Sequence, residues 1–181
     1  RLGLATDFHI PIAGYSPAKI RMPHKNSHGQ YDNWNATALP WMSIGYETQV
    51  PPISTLTFYN AIANGGKMMK PRFVKQIIKN GEVVYNNPPQ VIKEHIAKES
   101  TIKEITRILT EVVSEGLGKK AGSDKFLVAG KTGTAQMSKG ALGYKAGGTN
   151  YLLSFAGFFP ADKPRYSCIV CIQKKIGRAH V

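Results

Sequence analysis

A chain of 181 residues with 42% apolar side chains is long enough for one domain with its own core. No run of eighteen apolar residues occurs, which excludes a membrane-spanning helix, and the opening "RLGLATDFH" is neither a secretory leader nor a start at Met, so the chain reads as a piece of a longer protein. The net charge of +13 is spread along the chain without the interleaved aromatics of a base-stacking platform, and it reads as solvated surface.

The first forty residues are rich in Pro, Gly, His and Asn ("HIPIAGYSPAKIRMPHKNSHGQYDNWN") and predict irregular loop with short extended pieces. Pro52 suits a helix start, Ile53 to Ala63 run without a breaker, and Asn64-Gly65-Gly66 stops them. "RFVKQIIKNGEVVY" predicts a hairpin, because two β-rich runs flank Asn80-Gly81. A second helix is predicted over "STIKEITRILTEVVSEGLG". Ile102, Ile105, Ile108, Leu109, Val112 and Val113 form its apolar stripe, Thr101 and Glu104 have capping-box spacing, and Gly116 and Gly118 end it.

Three strands follow, at Phe126 to Met137, Tyr151 to Phe159 and Tyr166 to Lys174. The middle one, "YLLSFAGFFP", is nearly continuously apolar and is expected to be buried on both faces. The turn "PADKP" makes the last two antiparallel neighbours. Cys168 and Cys171 lie three apart on one strand, so they face opposite ways, too far apart for a disulfide. Two buried, unpaired thiols are expected.

The stretch "LVAGKTGTAQ" holds a Gly-Lys-Thr triplet, which raises the question of a phosphate loop. Such a loop needs a glycine five residues before Gly130, and that place is Lys125. The flanks also read as one extended run rather than a strand opening into a helix. Taken alone, the triplet is compatible with an edge strand carrying a solvated lysine.

Several other segments give it a context. "VAGKTGTAQ" resembles the K-[ST]-G-T box of penicillin-binding proteins. "SIGYETQVPPISTLTFYNAIANGG" is similar to a class B segment that reads roughly S-x-G-x-x-x-x-V-T-P-L-Q followed by A-Y-A-A-I-A-N-G-G. "SFAGFFPADKPRY" resembles the strand and turn after the box, and "RLGLATDFHIPIAG" the family's F-G-F-G segment. The agreement is collinear over nearly the whole chain. Pro51 stands where the family often has Thr, and Ser54 where it often has Gln.

The resemblance implies an α+β chain, the C-terminal half of a transpeptidase domain over residues 1–175, within the penicillin-binding and serine β-lactamase-like fold, an antiparallel sheet flanked by helices. Residues 176–181 depart from the family pattern and read as a non-native tail. The implied activity is D,D-transpeptidation in peptidoglycan cross-linking, with a serine acylated by the D-Ala-D-Ala end of a stem peptide. On that reading Lys131 supplies positive potential, Thr132 and Thr134 bind the peptide's carboxylate, the Thr134 N–H is an oxyanion donor, and Gly133 lets substrate approach closely. No cofactor and no metal is implied. Stem peptides, β-lactams and a membrane complex of division or elongation are the implied partners, with no nucleic acid. The parent protein would sit on the extracytoplasmic face of the membrane, held by an N-terminal anchor. A serine β-lactamase or β-lactam sensor shares the box, and a basic, non-catalytic binding module is a third reading.

The family's nucleophile stands in S-x-x-K, followed by a second box, S-x-N. "SPAK" (Ser16 to Lys19) lies among turn residues, and "STIK" (Ser100 to Lys103) puts its lysine away from the apolar stripe of its helix. Ser100 is read as part of a helix cap. "YDN" at Tyr31 to Asn33 mimics a second box but lies in the loop-rich stretch. Boxes one and two are therefore expected outside this chain.

Overall fold

The computed structural model describes residues 2–137 and 149–176. In chain order the elements are β1 (Lys19–Ile20), α1 (Ala38–Ser43), β2 (Thr48–Gln49), α2 (Pro52–Ala63), β3 (Met68–Met69), β4 (Gln76–Lys79), β5 (Glu82–Asn86), β6 (Val91–Lys93) and α3 (Glu99–Ser114). A turn of 3-10 helix (Lys119–Ala121) precedes β7 (Ala129–Met137), β8 (Thr149–Phe159) and β9 (Tyr166–Ile176). Residues 177–181, most of the segment expected to be a tail, lie outside the described residues.

The three predicted C-terminal strands form one antiparallel sheet in the order β7-β8-β9, with the K-T-G strand at an edge. β1 pairs with β2, β3 with β6 and β4 with β5, each antiparallel. The hairpin turns at Asn80 and Gly81, with φ of 53° and 85°, the left-handed pair that a two-residue turn demands. α2 begins at Pro52 and its last turn closes when Gly66 N–H donates to Ala61 O at 2.8 Å. α1, β2, β3 and β6 are short elements that periodicity did not announce.

Residues opposite one another in the ladder share a face. On one face lie Ala129, Lys131 and Gly133 of β7, Phe158, Ala156 and Ser154 of β8, and Ser167, Ile169 and Cys171 of β9. This face receives the helices. Ile62 of α2 and Leu109 of α3 close a core with Ala129, Phe158 and Ala161, and Asn60 Nδ2 donates to Ser167 Oγ at 3.2 Å. The other face carries Gly130, Thr132 and Thr134, then Gly157, Phe155 and Leu153, then Cys168, Val170 and Ile172, the last two about half exposed. Glycine is required at Gly130, where a Cβ would lie 2.4 Å from the Phe155 ring and 2.8 Å from Ala156 O.

Several expectations need correction. β8 is fully buried only at Ala156, Gly157 and Phe158, and Leu152 is exposed, because the described helices cover one face and only one end of it. The thiols are unpaired, yet Cys168 is only partly buried and Cys171 is exposed, for the same reason. The N-cap of α3 is Lys98, with no side-chain cap; Ser100, Thr101 and Glu104 all lie inside the helix, and Glu104 pairs with Arg107 instead. Ile102, Leu109 and Val113 are the buried part of its stripe, while Ile108 is exposed. Gly116 and Gly118 end α3 by close approach: their N–H groups donate to Glu111 O and Val112 O, and a Cβ on either would come within 2.9 Å of Val112 O.

Candidate active-site strand

In an antiparallel strand the N–H and C=O of alternate residues point to the same side. Two contacts fix which residues of β7 point away from β8. Gln136 N–H donates to Tyr46 Oη, 90 residues away, at 3.3 Å, and Lys131 Nζ donates to Thr132 O at 2.9 Å. Gly130, Thr132, Thr134 and Gln136 therefore present their backbone groups to the open edge. The Thr134 N–H sits in mid-edge, where a donor to an extended ligand would have to be.

The side chains are divided differently. Lys131 projects from the helix face and bends over the edge to Thr132 O, while Thr132 and Thr134 project from the opposite face. Lys131 and Thr134 are exposed and Thr132 is half-buried. A ligand touching the ammonium and both hydroxyls must lie along the edge itself, the one place all three can reach. Gly133 serves the sheet as well as any ligand, since a Cβ there would stand 2.6 Å from Ser154 Oγ on the neighbouring strand.

On the helix face the strand lines an open cavity of about 330 Å³, with Thr55 and Tyr59 of α2 on one wall and Lys131, Gly133, Ser154 and Cys171 on the sheet. Burial raises the Tyr59 hydroxyl above its ordinary pKa, so it stays protonated. A larger cavity, about 630 Å³, shares Val50, Pro52 and Leu152 with it and is lined by Ile10, Ile12, Tyr15 and Phe73. Sequence reasoning missed Tyr46, Ser154 and Cys171 at this site. Strand parity relative to Gly133 and Lys131 carried a signal for the last two; nothing local announced that Tyr46 reaches β7.

Neither S-x-x-K is brought to the strand as a catalytic pair. Ser16 is exposed, with its hydroxyl 3.5 Å from Pro17 O. Ser100 is exposed on α3, and Lys103 forms an ion pair with Glu99 at 2.8 Å in solvent. The hydrogen bond and charge of Glu99 raise the Lys103 pKa, the wrong direction for a base. Tyr31 and Asn33 are tied into their own loop, Tyr31 bridging to Lys25 and the Asn33 side chain donating to Met22 O.

Residues 14–180 match the family model of the penicillin binding protein transpeptidase domain. The chain belongs to that family. It is 34% identical, over 75% of its length, to Stage V sporulation protein D of Bacillus subtilis, covering 21% of that protein. It is 26% identical, over 94% of its length, to the peptidoglycan D,D-transpeptidase FtsI homolog of Mesostigma viride, covering 29% of it. Among solved structures, penicillin binding protein 3 of Mycobacterium tuberculosis complexed with ampicillin superposes with a TM-score of 0.77 at 26% identity, over 96% of this chain and 38% of that one. The expected transpeptidase fold is thus the observed one. The chain spans less than a third of the length of these two curated relatives. Among the described residues, no helix is long and apolar enough to cross a membrane.

Proposed function

We propose that this chain is the K-T-G half of a peptidoglycan D,D-transpeptidase domain whose acylated serine stands outside residues 1–181. The observation that carries the proposal is the open edge of β7, with Thr132 O and the Thr134 N–H directed outward and Lys131 drawn across it.

A stem peptide ending in D-Ala-D-Ala lies along that edge. Its terminal carboxylate is held by the Lys131 ammonium and by the hydroxyls of Thr132 and Thr134. The serine oxygen adds to the penultimate carbonyl, and the oxyanion accepts hydrogen bonds from the Thr134 N–H and from the serine's own N–H. Collapse breaks the peptide bond, D-Ala leaves with the serine's proton on its amine, and an acyl-enzyme remains. The amine of a second stem then attacks the ester, loses a proton and releases the serine. A β-lactam enters the first step and stalls at the second. The parent protein works on the extracytoplasmic face of a membrane through an anchor outside these residues, in a division or elongation complex.

The test is D-Ala release from a synthetic D-Ala-D-Ala pentapeptide by the full-length protein. Turnover that Lys131→Ala removes supports the reading. A wild-type protein that releases no D-Ala and forms no penicillin adduct contradicts it.

A further inference from the structure

We propose that the outer edge of β4 is a docking site for an extended, acidic segment of a partner protein, which adds to the β4–β5 hairpin as a third strand. This surface is apart from the K-T-G edge, and the proposal does not depend on the transpeptidase reading. Three observations carry it. The hairpin is a two-stranded sheet, and among the described residues no strand pairs with the outer side of β4 or of β5. A strand with one neighbour leaves alternate N–H and C=O groups without a ladder partner, a template for another strand. Both faces are apolar and open. Ile77 and Tyr85 stand opposite each other on one, over a cavity of about 410 Å³ lined by Phe8 and Ile10, and Ile78 and Val83 stand on the other, all four about half exposed. The surround is cationic: residues 70–87 hold Lys70, Arg72, Lys75 and Lys79 against a single carboxylate, Glu82.

Charge and register select the occupant. The ladder runs one residue beyond β4, where the Asn87 N–H donates to Lys75 O at 2.8 Å. Lys75, Ile77 and Lys79 therefore share one face, with Gln76 and Ile78 on the other. An antiparallel strand laid against this edge meets Lys79, Ile78, Ile77, Gln76 and Lys75 in that order. Its complement is acid, aliphatic, aliphatic, polar, acid, because opposite charges attract across a ladder and the aliphatic pairs bury area on both faces. A second copy of this chain fits less well: the pairing that sets Ile77 against Ile77 puts Lys75 opposite Lys79 twice, and like charges so placed repel. A bilayer fits less well too, because the tip of the hairpin, Lys79-Asn80-Gly81-Glu82, is polar and would enter hydrocarbon first.

The experiment measures the fluorescence anisotropy of labelled peptides with the full-length protein at low salt. One peptide has the core Glu-Val-Val-Thr-Glu and a second the core Lys-Val-Val-Thr-Lys. A third repeats the first with both valine nitrogens methylated, which blocks pairing whichever of the two faces β4. The wild-type protein is expected to bind the first about tenfold more tightly than the second, as two attractive cross-strand pairs become repulsive, and to bind the third more weakly than the first by a similar factor. Lys75→Glu together with Lys79→Glu, both on exposed side chains, should reverse the preference between the first two. Equal binding of the first and third peptides would reveal charge attraction without strand addition and overturn the proposal. So would a preference unchanged in the double variant, or a wild-type protein that binds none of the three. Dimerisation, or binding to vesicles of phosphatidylglycerol and phosphatidylcholine, that Ile77→Asp removes while no peptide binds would assign the edge to a second copy or to a bilayer instead.

Discussion

Two antiparallel arrays in this chain differ in what holds them. In the β4–β5 hairpin every residue is exposed, including Ile77, Ile78, Val83 and Val84. Its geometry comes from the turn at Asn80 and Gly81. In the β7-β8-β9 sheet, Ala129 and Phe158 are fully buried under α2 and α3, and Phe155 lies across Gly130. The hairpin is specified by two residues of turn chemistry, whereas the sheet is specified by packing between segments far apart in sequence. β7 belongs to the second kind, so the position of Lys131 depends on distant side chains.

Truncation separates the two arrays most sharply. Phe158→Ala should lower the unfolding free energy of the domain by about 3–5 kcal/mol, the cost of a large buried cavity. Denaturant titration checks this, and a loss below about 1 kcal/mol would mean that the core lies elsewhere. Thr132→Ala in the full-length protein should slow penicillin acylation by an amount equivalent to roughly 1.5–3 kcal/mol, through loss of a hydrogen bond to the carboxylate. Thr134→Ala should cost a similar amount, because its backbone donor remains. In the hairpin, Gly81→Ala should destabilise by about 1 kcal/mol, since its φ of 85° disfavours a Cβ. Ile78→Ala should change stability by only about 0.5 kcal/mol, because Ile78 buries so little. If Ile78→Ala cost as much as Phe158→Ala, the contrast between the arrays would be false.

The thiols test the uncovered part of the sheet. Burial raises the pKa of Cys168, so less of it is thiolate at a given pH, while Cys171 is exposed on the opposite face. Cys171 should react with a maleimide faster than Cys168, and equal rates would show that the two faces are equally open.

The same contrast explains what the sequence revealed. Asn80-Gly81, Pro52 and Asn64-Gly65-Gly66 act locally, and all of them stand where local rules place them. The K-T-G edge and the order of the three strands were legible through the collinear resemblance and the "PADKP" turn. The apolar run in β9 signalled a strand correctly but burial wrongly, because β-branched residues favour a pleated surface whether or not a helix covers it. The Thr101–Glu104 spacing failed because α3 starts three residues earlier than that cap requires, at Glu99 with Lys98 as its N-cap. Tyr46 on Gln136 is a tertiary contact with no local signature, whereas Ser154 under Gly133 follows from strand parity once the register is known.

The central claim is that β7 is one wall of a transpeptidase site whose nucleophile lies elsewhere in the parent protein. Labelling the full-length protein with a fluorescent penicillin, followed by peptide mapping, tests it most directly. The predicted result is one label on a serine outside residues 1–181, reduced about a hundredfold in rate by Lys131→Ala, comparable to removing one fixed electrostatic contact in an active site. Stoichiometric label on Ser100 or Ser16 would contradict it.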